Sequence, residues 1–273
     1  MLRANYHTHT TLCDGDDTPE DVCAYAFSLG FEHLGFSGHM DPDIHMDWPV
    51  YVEKISELKQ AYAGRMDILM GVELDNIYDP ASCPGAEYII GSTHFLDVES
   101  PQPMSVDSSP ENMQALARDY FGGDYYALSK AYYELEAKVH DRLKCTFVGH
   151  FDLVTRFNDE GHFLDEEDPR YLQPALESME YLAGEGVPFE INCGAVNRGR
   201  KKELYPRHEL LRALHGFGGE IFISADAHQK ERLNGAFDVA VAEAIRCGFK
   251  HVNILAHDSF GAVVMKQLAL DTL

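Results

Sequence analysis

The chain has 273 residues with 22 basic and 45 acidic side chains, a formal charge of −23, and 45% apolar residues. That length suits two small domains or one α/β barrel, and the apolar share suffices for a sizeable core. The charge and the lack of a basic stripe exclude nucleic acid as a general partner and disfavour an anionic membrane surface.

The N-terminal run Met1–His7 has no apolar segment of the signal-peptide kind, and no apolar run approaches the ~18–20 residues of a membrane span. The six cysteines, Cys13, Cys23, Cys83, Cys145, Cys193 and Cys247, include no C-x-x-C pair. They read as free thiols of a reducing compartment, which makes a cytoplasmic protein the expectation.

Short apolar runs alternate with longer amphipathic ones. In chain order, strands are predicted at Arg3–His7, His33–Ser37, Asp67–Val72, Tyr88–Ser92, Thr146–Gly149, Pro188–Asn192, Glu220–Ala225 and Lys250–Leu255. Helices are predicted between them at Pro19–Leu29, Pro49–Ala63, Glu111–Tyr120, Tyr125–Leu143, Pro169–Glu185, Arg207–His215 and Gly235–Cys247. Thr18-Pro19-Glu20 has the form of a cap, a first-turn proline and a first-turn acid. Unbroken β–α alternation predicts a mostly parallel sheet in one domain, 1–273. The one long irregular segment, Asp97–Pro110, is expected to lie over one end of the barrel.

The chemistry is carried by where His, Asp and Glu fall. Predicted strands run into His7-Thr8-His9, Gly38-His39, Val72-Glu73, Thr93-His94, Gly149-His150 and Asp226-Ala227-His228. In a parallel barrel all six ends meet on the face where barrel enzymes keep their active sites. Period-two alternation turns His7 and His9 the same way, and likewise Asp226 and His228. Imidazoles mixed with carboxylates suit Zn, Mn or Fe. His33, His45, His140, His162, His208, His215, His251 and His257 lack that placement and read as surface, helix or core residues. Neither a G-x-x-x-x-G-K-[ST] loop nor a G-x-S-x-G elbow is present.

This pattern resembles the polymerase-and-histidinol-phosphatase (PHP) superfamily, and within it the histidinol-phosphatases. The resemblance runs from His7-Thr8-His9-Thr10 to Asp226-Ala227-His228. It implies a distorted (β/α)7 TIM-like barrel, so the eighth predicted strand falls outside the barrel. It further implies three divalent metal ions held by His7, His9, Glu73 and Asp226, by Glu73, His94 and His150 with Glu73 bridging, and by Asp14, His39 and His228. Asp14, Asp16 and Asp17 are all within reach of the third position, and the turn Asp14-Gly15 favours Asp14. Glu73, Asp226 and His228 are the implied catalytic group.

Arg156 and Arg198, and less so Arg200, leave the same face and are candidate phosphate clamps, because guanidinium matches phosphate in bidentate fashion. Glu190 or Asn192 could meet a substrate amine or imidazole. The implied reaction is hydrolysis of L-histidinol phosphate in histidine biosynthesis. Alternatives are a PHP phosphoesterase for another small phosphomonoester or nucleotide, and a metal-dependent amidohydrolase. The last would more usually carry a bridging lysine where Glu73 stands.

Overall fold

The computed structural model describes residues 1–273. Seven parallel strands follow one another around a sheet: β1 (Ala4–Asn5), β2 (His33–Phe36), β3 (Asp67–Asp75), β4 (Tyr88–Ser92), β5 (Phe147–Val148), β6 (Phe189–Asn192) and β7 (Ile221–Ser224). Neighbours in sequence are neighbours in space, each crossover carrying helix to the outside. β1 meets β7 through a short parallel bridge, Thr8 to Ala227. There His9 N–H donates to Ala227 O at 2.8 Å and Ala227 N–H to His7 O at 3.1 Å. Lower on the seam the Asn5 side chain accepts from Ala225 N–H at 2.9 Å, replacing a ladder bond. The sheet is thus nearly closed, with its seam at the end where the histidines lie.

β3 shows why the strands read as apolar runs: every residue after Asp67 is buried, as expected of a strand covered on both faces. The helices start on the signals the sequence carries. Thr18 caps α1 (Pro19–Ser28), Asp47 caps α2 (Trp48–Tyr62), Ser109 caps α3 (Pro110–Tyr120) and Asp124 caps α4 (Tyr125–Glu136). Asp168 caps α5 (Pro169–Gly184); α6 (His208–Gly216) and α7 (Phe237–Cys247) complete the outer layer. Each of these five side-chain oxygens accepts from a first-turn N–H, and four of the five helices place proline at the start, where its missing N–H costs nothing.

One expectation is corrected and another is borne out. The run Tyr125–Leu143 is not one helix, because Ala137–Lys138 form a turn before a short segment at Val139–Leu143. The predicted strand Lys250–Leu255 pairs with no barrel strand. It becomes β8 (His251–His257), which folds back antiparallel on β9 (Val263–Ala269). β9 shows no alternation of buried and exposed residues, so its sequence carries no strand signal. The loop Asp97–Pro110 contains half of a small hairpin, Phe95–Leu96 against Met104–Ser105.

The barrel interior below the histidines is filled by aromatic rings. Tyr88 lies edge-on to Tyr6 and stacks on Phe147, whose ring is 4.5 Å from that of Phe222. The Tyr88 hydroxyl lies 2.6 Å from Tyr6 O and 2.9 Å from Phe36 O. Tyr6 O–H donates to Leu255 O at 2.7 Å, so the β8–β9 hairpin stoppers the barrel at this end. His257 adds a polar tie, with Nδ1 2.6 Å from Asp67 Oδ1 and Nε2 3.0 Å from Glu87 Oε1.

The Tyr88 ring has room only because Gly35 and Gly71 face it. A Cβ at Gly71 would lie 2.1 Å from the ring, and one at Gly35 2.3 Å from the hydroxyl. Gly71→Ala should therefore destabilise the fold by about 1–3 kcal/mol or more, the usual range for overpacking. Gly184→Ala, with nothing within 4 Å, should not. Urea midpoints at unchanged slope measure both, and equal midpoints for Gly71→Ala and the native chain would show that Tyr88 does not fill this space.

Candidate metal centre

The C-terminal ends of the strands deliver the polar side chains into one basin organised around Glu73. Glu73 stands near the C-terminal end of β3, and its carboxylate is 1% exposed. Its Oε1 lies 2.8 Å from His150 Nε2 and 3.1 Å from His94 Nε2. Its Oε2 lies 2.9 Å from His7 Nε2, 3.2 Å from His39 Nδ1 and 3.4 Å from His9 Nε2. One carboxylate thus faces five imidazoles carried on four different segments, His7 and His9 sharing one.

Asp226 closes the opposite side, with Oδ1 3.5 Å from His9 Nε2 and 3.8 Å from His7 Nε2. Asp14 forms a third focus, with Oδ1 3.2 Å from His9 Nδ1 and Oδ2 3.0 Å from His228 Nε2 and 3.6 Å from His39 Nε2. Its neighbours are engaged elsewhere: Asp16 accepts from Gln229, and Asp17 from Lys230. All nine residues singled out at strand ends and in the first loop therefore share the basin.

Asp226 and His228 reach it by a route that strand alternation does not describe. Asp226 has φ +49°, a left-handed conformation that Asp tolerates better than most residues. The chain turns there, so Asp226 faces His7 and His9 while His228 faces Asp14. Arg198 holds the turn, donating to Asp226 O at 2.7 Å and to Oδ2 at 3.0 Å.

Three residues missed in the sequence also matter. Asp41 lies 3.4 Å from His39 Nδ1, and Asp75 lies 3.3 Å from His94 Nδ1 while accepting His94 N–H at 2.7 Å. Tyr205, on the segment after β6, lines the same pocket. The sequence signal for Asp75 was its place two residues after Glu73 on the same strand face. Asp41 had the same relation to His39.

Glu190 and Asn192 are not free to meet a substrate. Glu190 is fully buried, with Oε1 2.7 Å from His7 Nδ1 and Oε2 accepting from His150 N–H at 2.9 Å and Asn192 Nδ2 at 3.0 Å. Asn192 Oδ1 accepts Gly194 N–H at 2.8 Å. Whenever His7 is neutral, as a metal ligand must be, Glu190 therefore favours the tautomer with a proton on Nδ1 and a lone pair on Nε2, facing the basin.

The electrostatics are those of a site in need of cations. Burial opposes ionisation of Glu73, but the surrounding histidines outweigh it and hold the carboxyl well below its ordinary range. Burial likewise opposes charge on His7, yet Glu190, Glu73 and Asp226 together pull its pKa up to about 10. His39, more burdened by burial than helped by Glu73, is pushed down to about 3. The carboxylates thus demand positive charge and draw protons onto some imidazoles to obtain it. Divalent ions meet the same demand.

The donor atoms also fit such ions. His7 Nε2, His9 Nε2, His39 Nδ1 and Glu73 Oε2 are buried within the cluster without an aligned hydrogen bond. Buried polar atoms left so are rare and call for a partner. Imidazole nitrogen and carboxylate oxygen are the donor types of Zn, Mn and Fe sites.

The basin opens into a pocket of about 490 Å³, within the range of small-molecule sites. Arg156, Arg198, Arg200, Lys201 and Arg232 line it, as do Asp41, Asp43 and Asp107. Arg156 pairs with Asp107 at 2.7 Å. Arg200 is instead crowded by like charge: burial, Arg156 and Arg198 all push its pKa down.

The sequence profile of the PHP domain matches residues 5–194. A curated Deinococcus radiodurans protein named "Probable histidinol-phosphatase" is 30% identical over 259 residues, covering 87% of this chain and 90% of that one. A Listeria monocytogenes structure assigned as a histidinol phosphatase superposes with a TM-score of 0.75 at 18% identity, covering 86% of this chain and 99% of its own. The histidinol phosphate phosphatase of Lactococcus lactis, solved with zinc, L-histidinol and phosphate, gives a TM-score of 0.68 at 18% identity, covering 94% and 98%.

The Glu190 arrangement generates a test. In Glu190→Gln, an amide NH2 facing His7 would reverse its tautomer and place a proton on Nε2. The opposite amide orientation would set NH2 against the donors of His150 and Asn192. Metal retained after dialysis against chelator should fall, with affinity lowered about 10- to 100-fold, while circular dichroism shows an intact fold. Retention equal to the native protein would mean that Glu190 does not position His7.

Proposed function

The chain belongs to the PHP domain family, and on that premise we propose that it is a metal-dependent phosphomonoesterase hydrolysing L-histidinol phosphate to L-histidinol and inorganic phosphate in histidine biosynthesis. The observation that carries this reading is that the pocket over the Glu73-centred basin is lined by both arginines and aspartates. A substrate with a phosphate at one end and a cationic amine at the other finds side chains of both signs in that pocket. The relatives named as histidinol-phosphatases align over most of the chain rather than over the ligand positions alone.

In this reading the basin holds three divalent ions, of Zn, Mn or Fe. His7, His9, Glu73 and Asp226 take the first, Glu73, His94 and His150 the second, and Asp14, His39 and His228 the third. When bound, such ions supply an ionised water and neutralise charge on phosphoryl oxygens.

The protein's own groups do the rest. Glu73 presents one oxygen to each side of the basin and so fixes both halves relative to each other. Arg198 orients Asp226 and, from the same guanidinium, faces the pocket. Arg200 and Arg156 line the same pocket and receive the phosphate. His228 Nδ1 and Asp226 Oδ1, 3.5 Å apart, can hold the proton that the departing alcohol requires. Asp41 and Asp43 suit the amine and imidazole of the alcohol portion.

Purified under metal-replete conditions, the protein should carry about two to three equivalents of transition metal in the basin, and chelation should abolish turnover. Glu73→Gln should lower turnover by orders of magnitude with the fold intact. Elemental analysis giving less than about one equivalent, or a Glu73→Gln enzyme of near-native rate, would overturn this centre.

The substrate is tested by kcat/KM on a panel. L-Histidinol phosphate should exceed p-nitrophenyl phosphate and AMP by about tenfold or more. Arg156→Ala and Arg200→Ala should mainly raise KM, whereas Arg198→Ala should also lower kcat, because it releases Asp226. Each loss in kcat/KM should be roughly 10- to 100-fold, the size of one or two charge-assisted hydrogen bonds. Faster hydrolysis of AMP would keep the phosphoesterase and replace the substrate.

A further inference from the structure

His208 carries no strand-end placement, and Cys247 belongs to no cysteine motif, yet the outer helix layer brings them together. His208 opens α6. Glu243 and Cys247 are four residues apart on α7 and so share one face of it. His208 Nδ1 lies 2.5 Å from Glu243 Oε1. Cys247 Sγ lies 3.4 Å from His208 Nδ1 and 3.4 Å from Glu243 Oε1. A nitrogen, an oxygen and a sulfur thus form a small triangle, contributed by two separate helices.

Tetrahedral zinc binds nitrogen and oxygen at about 2.0–2.2 Å and sulfur at about 2.3 Å, which sets donor–donor edges of roughly 3.3–3.6 Å. Both edges to the sulfur already have that length. The nitrogen–oxygen edge is shorter because a hydrogen bond joins the two atoms, and an ion between them would open it by somewhat less than 1 Å.

We propose that His208, Glu243 and Cys247 form a second metal site, for a thiophilic divalent ion such as zinc, which fastens α6 to α7. The side chains of His208 and Glu243 are 18% and 17% exposed, so an ion can enter from solvent and take water as its fourth ligand. Binding exchanges the Cys247 thiol proton, released to solvent, for a sulfur–metal bond, and His208 ligates as neutral imidazole.

One neighbour opposes the ion. Arg246 donates to Glu243 Oε2 and to Oε1, each at 2.9 Å, and so competes for the ligating oxygen. The site is therefore open and exchangeable rather than a closed structural one. Its consequence for the fold is local: α7 packs on both α6 and β7, and β7 runs into Asp226 and His228.

Cobalt titration of the purified holoprotein separates this site from the basin, whose nine proposed ligands contain no sulfur. A thiolate-to-cobalt charge-transfer band should appear in the near ultraviolet and saturate at about one equivalent. Zinc should abolish it. The band should be lost in Cys247→Ser and kept in Cys13→Ser, the control for the thiol 3.7 Å from His9 Nδ1. Arg246→Ala should bind the ion several-fold more tightly. In the native chain, zinc should slow alkylation of Cys247, mapped by mass spectrometry, by about tenfold. Absence of a thiolate band, its survival in Cys247→Ser, or alkylation indifferent to zinc would overturn the site. Unchanged or weaker binding in Arg246→Ala would remove Glu243 from it.

Discussion

The burial of Glu73 is the constraint from which the rest follows. A carboxylate at the centre of a barrel, 1% exposed, is costly unless positive charge surrounds it. Five imidazoles answer from four segments, and three of them have a carboxylate close by on the side away from Glu73 or beside it. Glu190 stands behind His7, Asp75 behind His94, and Asp41 beside His39. These outer carboxylates add negative charge to a site already rich in it. The arrangement suits metal binding, because without metal the histidines must take up protons to offset the carboxylates. The nearby carboxylates draw His7 toward charge, while burial and the like charge of His9 and His94 keep His39 from it.

Precision at the basin depends on rigidity below it. The ring layer of Tyr6, Tyr88, Phe147 and Phe222 fills the barrel, and hydrogen bonds from its two tyrosines tie β1 and β2 to each other and β1 to the β8–β9 hairpin. Gly35 and Gly71 are the means of that packing. The open point of the sheet is the β1–β7 seam, and it is held by a few backbone bonds and by Asn5. His7, His9, Asp226 and His228 all depart from that seam. A site assembled across the weakest contact of the barrel gains from anything that crosses it, including Arg198 on the Asp226 turn.

The seven barrel strands and the residues of the basin were legible because both follow a period. Parallel strands covered on both faces read as apolar runs, and a ligand at each strand end repeats once per β–α unit. What lacked a period was not legible. Asp226 and His228 enter the same basin, 3.5 Å apart, but by a left-handed turn at Asp226 that strand alternation does not describe. Glu190 was a candidate for substrate because it shares a strand face with Asn192. Its bond to His7 crosses 183 positions and has no local signature. β9 was missed because its residues are exposed in the middle and half-buried at the ends, as befits one strand of a hairpin at the barrel's edge.

Charge is the last piece, and here the whole chain and the site have opposite signs. At −23 the protein should repel a phosphomonoester at long range. Salt screens that repulsion beyond about 8–10 Å, so what the substrate meets near the mouth is local. Locally the segment Arg198-Gly199-Arg200-Lys201-Lys202 supplies four of the 22 basic residues within five positions, and Lys230 and Arg232 follow on the next strand's loop. Lys201 is turned inward onto Thr155, and Lys230 onto Asp17, so neither is available. Arg200 is the cation of this run that is crowded by other cations instead of being matched by an acid. An anion arriving there relieves repulsion as well as gaining attraction, whereas at Arg156 it must compete with Asp107. The arginine that the sequence ranked last of the three is thus the one whose surroundings most favour a phosphate.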